Sequence, residues 1–357
     1  MFQGIYQKRR VLVTGHTGFK GSWLCAWLKR LGAEPSGISL PPDRTPNHYS
    51  LLNTPMQSCF CDIRDPEKIR KILFDLQPEM IFHLAAQPLV RASYCKPRET
   101  FETNVMGTVN LLEGCRFTSS VRAIVIITTD KCYANPENGK PFAEDDPLGG
   151  FDPYSASKGA AEIAAASYRS AFFSSGDSPA VATARAGNVI GGGDWAQDRL
   201  IPDLVRAAAE GNTAEIRAPN AIRPWQHVLE ALSGYLTLGA KLFAEGREYA
   251  SAWNFGPLEI ETFTVGDIIK IAQSEWSKIV CRIHETDGPM HEAANLRLDC
   301  RKALTNLNWH PVWNTGETVC RTVRWYREFY ENGRCGTLAD LDFYCDAARK
   351  AGLEWAQ

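Results

Sequence analysis

The chain has 357 residues, more than one ordinary domain, and 44% of them are hydrophobic against 22% charged, enough for a sizeable core. A formal net charge of −2 supplies no basic field for nucleic acid or an anionic membrane surface, and no run approaches the apolar length of a membrane span. Eleven cysteines are scattered without CxxC pairs or histidines at zinc-finger spacing, so no metal is expected. The first apolar run, 11–14, is too short for a secretory leader. Free thiols in a reducing cytoplasm are the expectation.

Short apolar runs at 10–14, 34–40, 58–62, 80–85, 123–128 and 180–186 alternate with helical patterns at 22–31, 66–77, 104–117 and 154–173. Strands buried on both faces and separated by helices predict an α/β fold with a doubly wound parallel sheet. After Gly187, glycine and proline punctuate shorter elements, which predicts a smaller α/β lobe. The expected division is 1–186, with a returning segment near 221–260, and an interleaved lobe over 187–357. Residues 335–357 suggest only a terminal helix.

The run Val11-Leu-Val-Thr-Gly15-His-Thr-Gly18-Phe-Lys-Gly21 joins a strand to a helix through three glycines at three-residue spacing. Such a turn lets the backbone approach a pyrophosphate at a helix N-terminus, so dinucleotide binding is favoured over an ordinary turn. Farther on, Tyr154 and Lys158 share one helical face, where a cation stabilises a phenolate and equips the tyrosine as a base with a pKa lowered toward neutrality. Thr129, Asp130 and Lys131 follow the strand at 123–128, at the carboxyl end where doubly wound sheets present their sites.

The pattern Thr-Gly-x-x-Gly-Phe-x-Gly, with Asp62-Ile63, His83-Leu84-Ala85-Ala86 and the Tyr154/Lys158 pair, resembles the extended branch of the short-chain dehydrogenase/reductase superfamily. This resemblance implies a Rossmann fold and NAD held by Gly15, Thr17, Gly18, Phe19 and Lys20. It adds Asp62 and Ile63 at the adenine, Leu84, Ala85 and Ala86 beside the cofactor, and Tyr154 and Lys158. The acidic residue usual at the end of the second strand is replaced by Ser39, with Asp43 and Arg44 following, which leaves NAD against NADP open.

The triplet Thr129-Asp130-Lys131, with Gly18-Phe-Lys20-Gly-Ser-Trp23 and Gln87-Pro-Leu-Val-Arg91, is similar to the CDP-glucose 4,6-dehydratases; the dTDP-glucose enzymes show Thr-Asp-Glu. The resemblance, spanning about residues 8–330, implies a lyase forming CDP-4-dehydro-6-deoxyglucose for deoxysugar and O-antigen synthesis. Tyr154 would take the C4 hydroxyl proton, a neutral Lys131 the C5 proton, and a protonated Asp130 would release the C6 oxygen as water, with Thr129 hydrogen-bonded to the C4 oxygen. Asn188 and Arg223 are implied at the diphosphate and Arg199 over the base and ribose, with Arg217 and His291 also at the substrate. Leu304 and Trp309 are expected to pack the smaller lobe. A homodimer or homotetramer through helices 104–117 and 154–173 is implied, helped by small residues from Ala160 to Ala166. Two alternatives stay open: a nucleotide-sugar 4-epimerase or a dehydratase of another nucleotide sugar, and a non-catalytic NAD-binding regulator, against which the Tyr154/Lys158 pair weighs.

Overall fold

The computed structural model describes residues 1–216, 218–258, 263–283 and 296–357; Arg217 and His291 lie outside the described residues. The apolar runs of the first half become β1 (Arg10–Thr14), β2 (Glu34–Ser39), β3 (Gln57–Phe60), β4 (Met80–His83), β5 (Ala123–Ile127) and β6 (Ala180–Ala186). Beyond them lie β7 (Val189–Ile190), β8 (Thr213–Ile216), β9 (Gln226–His227), β10 (Ala252–Phe255) and β11 (Val280–Ile283).

Seven strands form one sheet in the order β10-β6-β5-β4-β1-β2-β3, every pairing parallel. Chain order reverses between β1 and β4, and a crevice opens at their carboxyl ends, the position such sheets give to ligands. Every residue of β5 and β6 is buried, because helices cover both faces. The run 34–39 contains Pro35 and Gly37, poor strand formers, yet β1 and β3 on either side hold it in the ladder. Gly37 is required there: a Cβ would meet the His16 ring at 2.2 Å.

Two helices differ from the sequence pattern. The first begins at Phe19 rather than Ser22, since Gly18 in extended conformation ends the turn and caps the helix Phe19–Arg30. The pattern at 104–117 is not one continuous helix. A π-turn over Glu102–Met106 precedes Gly107–Arg116, and it turns the Asn104 amide inward to Gln87 and to the Ser157 hydroxyl at 2.8 Å.

The largest core lies between the sheet and the helices Phe19–Arg30 and Val228–Glu245. Trp309 joins this core rather than the smaller lobe: its ring meets Phe255 of β10 at 5.1 Å, and its indole donates to Ser233 at 2.9 Å. Leu304 is only half-buried. The C-terminal segment also returns to the main core, where Trp355 stacks on Phe2 at 5.2 Å. A separate hydrophobic cluster includes Ile201, Leu204, Ile268, Trp276, Val323 and Tyr326. All eleven cysteines are unpaired. Among the described residues no helix is long and apolar enough to cross a membrane, and no group of metal-ligating side chains gathers.

Candidate active site

A cleft of about 1870 Å³ runs from the first glycine turn across the carboxyl ends of β1, β4, β5 and β6 to the smaller lobe. That exceeds the roughly 300–1,000 Å³ of a site for one small ligand, and leaves room for two nucleotide-sized molecules.

At one end the glycine turn makes a cradle that side chains would fill. Gly15 has φ +75° and approaches the backbone so closely that a Cβ would lie 2.8 Å from the Ala85 nitrogen. A Cβ on Gly21 would lie 2.1 Å from the Gly15 carbonyl oxygen. Gly18 caps the following helix without a side chain, so no side-chain group competes for the N–H groups of its first turn. Thr17, Phe19, Lys20, Ile63, Leu84, Ala85 and Ala86 line the same stretch. These features fit the pyrophosphate and nicotinamide of a dinucleotide. At the end of β2 the Ser39 hydroxyl is bonded to Thr17 at 2.7 Å. Asp62 borders the cleft, but its carboxylate is engaged by Arg64 at 2.6 Å; the N-cap of the next helix is Asp65.

At the centre, Thr129 caps a short 3-10 turn over Asp130–Cys132 that leaves β5, its side chain accepting from the Lys131 N–H. The Thr129 hydroxyl donates to Asp130 Oδ1 at 2.9 Å, while Asp130 Oδ2 is buried without a partner. Room for that carboxylate exists because residue 187 is glycine: a Cβ there would stand 1.8 Å from Oδ2. Tyr154 and Lys158 enter from the helix Pro153–Ala171, which Asp152 caps at Ser155. The Lys158 ammonium donates to the Ile127 carbonyl at 3.2 Å.

The expected lowering of the Tyr154 pKa is not met. Burial pushes the phenol up to about 12, and the hydrogen bond with Thr129 opposes that push. Burial also pulls Lys158 down to about 8, against the pull of Glu162. Desolvation is the largest influence on both groups.

Lys20 lines the cleft beside the glycine turn. Its ammonium stands 5.9 Å from the Tyr235 ring centroid, and the Tyr235 hydroxyl is itself buried without a partner. Burial and the charges of Arg199 and Lys158 lower Lys20 to about 7. Tyr235 escapes a sequence reading because it lies in the apolar helix Val228–Glu245, where nothing distinguishes it from a core residue.

Toward the smaller lobe, Asn188 adopts φ +46° and keeps its amide nitrogen buried and unpaired at the edge of the cleft. Arg199 reaches Asp194 at 2.7 Å, a carboxylate the sequence did not single out. Arg223 lines the cleft and donates to the Ile222 carbonyl at 2.9 Å. Arg91 bridges to Asp198 at 2.7 Å across the mouth.

A parallel sheet with a glycine cradle at its switch point and a Tyr-x-x-x-Lys helix beside it defines a dinucleotide-dependent enzyme of the extended short-chain dehydrogenase/reductase class. Residues 12–322 match the model of the GDP-mannose 4,6 dehydratase family, and the chain belongs to that family. It is 46% identical over 331 residues to a CDP-glucose 4,6-dehydratase of Salmonella typhimurium, covering 91% of this chain and 92% of that one. A dTDP-glucose 4,6-dehydratase of Streptomyces antibioticus is 27% identical, with 89% and 92% covered. The solved structure of MoeE5 in complex with UDP-glucose and NAD superposes with a TM-score of 0.75 at 24% identity, covering 89% of this chain and 99% of that chain, a likeness of fold.

Proposed function

We propose that the chain is a lyase that converts CDP-D-glucose to CDP-4-dehydro-6-deoxy-D-glucose and water with NAD as a resident cofactor. The observation that carries this reading is the meeting of Asp130 and Lys131, at the end of β5, with Tyr154 and Lys158 in one cleft. The 46% identity to a CDP-glucose 4,6-dehydratase supports the substrate. An epimerase has no need of the added acid and base.

Bound NAD supplies a hydride acceptor for sugar C4 and later a hydride donor for C6. Tyr154, as phenolate, takes the C4 hydroxyl proton, and Lys158 holds the charge beside it. Lys131 takes the proton from C5, made acidic by the C4 ketone, and later returns it. Asp130 donates a proton to the C6 oxygen, which leaves as water. Gly15, Thr17, Gly18, Phe19, Lys20, Asp62, Ile63, Leu84, Ala85 and Ala86 hold the cofactor, and Asn188, Arg199 and Arg223 the nucleotide sugar, guanidinium groups matching phosphate oxygens.

Exposed Phe101, Met106 and Ile163, on the stretches that precede and include the two helices, support a homodimer through them. Free thiols support a cytoplasmic location. The smaller lobe is taken as 187–357, with 221–260 returning to the sheet.

The test incubates NAD-loaded protein with CDP-, UDP-, GDP- and dTDP-glucose separately and follows product mass and absorbance of reduced cofactor. Loss of one water from the CDP sugar, without reduced cofactor accumulating, is expected. An unchanged mass with altered sugar configuration would sink the dehydratase reading.

A further inference from the structure

Arg199 presents a guanidinium that the protein engages on one side only. Its Nη1 donates to Asp194 Oδ2 at 2.7 Å, and among the described residues no other acceptor meets its Nε or Nη2. The Arg199 side chain is 35% exposed and borders the cleft, whereas that of Asp194 is 8% exposed. A guanidinium held along one edge keeps the other edge for a planar pair of acceptors, such as two oxygens of a phosphate.

Asp194 is itself fixed. Its Oδ1 accepts the Ala196 N–H at 3.0 Å, and its own N–H donates to the Tyr326 hydroxyl at 2.8 Å, on the helix Thr315–Asn332. Arg44, after β2, donates to the Trp195 carbonyl at 3.0 Å, and Arg91, after β4, donates to Asp198 at 2.7 Å. The stretch from Asp194 to Arg199 is thus tied to both sides of the cleft. An arginine left free in a wet cleft samples many rotamers, and an anion that binds has to order it. The Asp194 charge works the other way, since it offsets part of the pull of Arg199 on an anion. Water in an open cleft screens that offset but not the rotamer cost, so orientation outweighs it.

We propose that Asp194 is a positioning residue for the substrate's diphosphate: it holds the Arg199 guanidinium with its free edge toward the cleft, ready for phosphate oxygens. Asp194 touches no substrate atom and acts only through Arg199. Its part is therefore in binding, not in the chemistry at C4, C5 and C6. Asparagine keeps the volume and an acceptor for Ala196, but it loses the charge-assisted hold on the guanidinium. This role rests on the nucleotide-sugar reading of the cleft.

The test measures kcat and KM for CDP-glucose, and inhibition constants for CDP and cytidine. It uses the NAD-loaded parent, Asp194→Asn, Arg199→Met and the double variant. Asp194→Asn is expected to raise KM and the CDP inhibition constant about tenfold, the upper end of what ordering one long side chain costs, with kcat near the parent value. Cytidine, which carries no phosphate, should inhibit parent and variant alike. In the Arg199→Met background, Asp194→Asn should add nothing, because its effect runs through the arginine. Retained NAD content shows that the variants fold, and Asp194→Ser repeats the test with a smaller side chain. CDP inhibition that is unchanged or tighter in Asp194→Asn, an equal loss for cytidine, or a further loss in the Arg199→Met background overturns the role. If UDP inhibits the parent and CDP does not, the choice of base falls instead, and UDP with uridine decides the role of Asp194 by the same comparison. If no nucleoside diphosphate inhibits the parent, the nucleotide-sugar reading falls and the role of Asp194 with it.

Discussion

Glu162 and Arg185 form an ion pair at 2.8 Å with both side chains 3% exposed, behind the ends of β5 and β6. Glu162 lies on the helix of Tyr154 and Lys158, one turn beyond the lysine, and its carboxylate also accepts the hydroxyls of Thr128, just past the end of β5, and Thr183 on β6. Arg185 continues the network to the Tyr133 hydroxyl at 2.7 Å and the Glu144 carbonyl at 3.0 Å. One carboxylate thus ties the helix of the tyrosine–lysine pair to both strands beneath it.

Replacing Glu162 with glutamine keeps the volume but leaves the Arg185 charge buried without its counter-ion. Removing one partner of a buried pair costs about 3–5 kcal/mol. Chemical denaturation is expected to show a loss of that size, with Thr183→Val costing less because the pair survives. A midpoint unchanged in Glu162→Gln would show that the network does not anchor the helix.

Lys158 gives a pH-dependent expectation of definite sign. Burial lowers it from 10.5 to about 8 in the folded chain. Below pH 8 both folded and unfolded chains carry the proton, and folding bears the full cost of burying the charge. Between about 8 and 10.5 the unfolded chain holds more protons, so this cost fades as pH rises. Lys158→Met is therefore expected to be more stable than the parent at pH 7, by on the order of 3 kcal/mol, and no more stable near pH 10.5. Its activity should be lost. Denaturation midpoints at the two pH values decide the point, and a variant less stable at pH 7 would contradict it.

Asp130→Asn and Lys131→Met should each lower kcat by about 10²–10⁴, the usual contribution of a positioned acid or base. Oxidation at C4 precedes both of their steps, so absorbance of reduced cofactor should accumulate in these variants. Lys131→Met should also stop exchange of the C5 hydrogen in deuterium oxide; exchange at the parent rate would remove Lys131 from its role. Gly187→Ala is expected to resemble Asp130→Asn while retaining NAD, because its methyl group occupies the place of Asp130 Oδ2.

The C-terminal segment should be indispensable to folding. Trp355 is buried against Phe2, against Trp27 at 5.7 Å and against Tyr344 at 5.8 Å. Trp355→Ala is expected to cost about 3–5 kcal/mol in thermal or chemical denaturation. A loss under 1 kcal/mol would show the segment to be dispensable.

Much of this architecture could be read in the sequence because the signals were local. The strands β1, β2, β4, β5 and β6 were visible as short apolar runs, since a parallel strand buried on both faces needs no alternation. Gly15, Gly18 and Gly21 declared a turn because only glycine allows the backbone approaches found there. Other features were set by distant partners. The π-turn at Glu102–Met106 depends on where Asn104 finds Gln87 and Ser157. Trp309 carries no mark telling which core it will fill, and Phe255 of β10 decides it.

The sequence by itself determined the parallel α/β sheet, the glycine cradle, and the residue types that gather at the end of β5 and on the helix after it. Spacing along the chain sets each of these. Only the tertiary structure decided their charge states and connections. Burial, not the nearby lysine, governs the Tyr154 phenol; Lys20 and Tyr235 meet beside the site; and the Thr129 hydroxyl donates to Asp130. Desolvation and hydrogen bonding depend on what packs around a group, and those neighbours come from segments far apart in the chain.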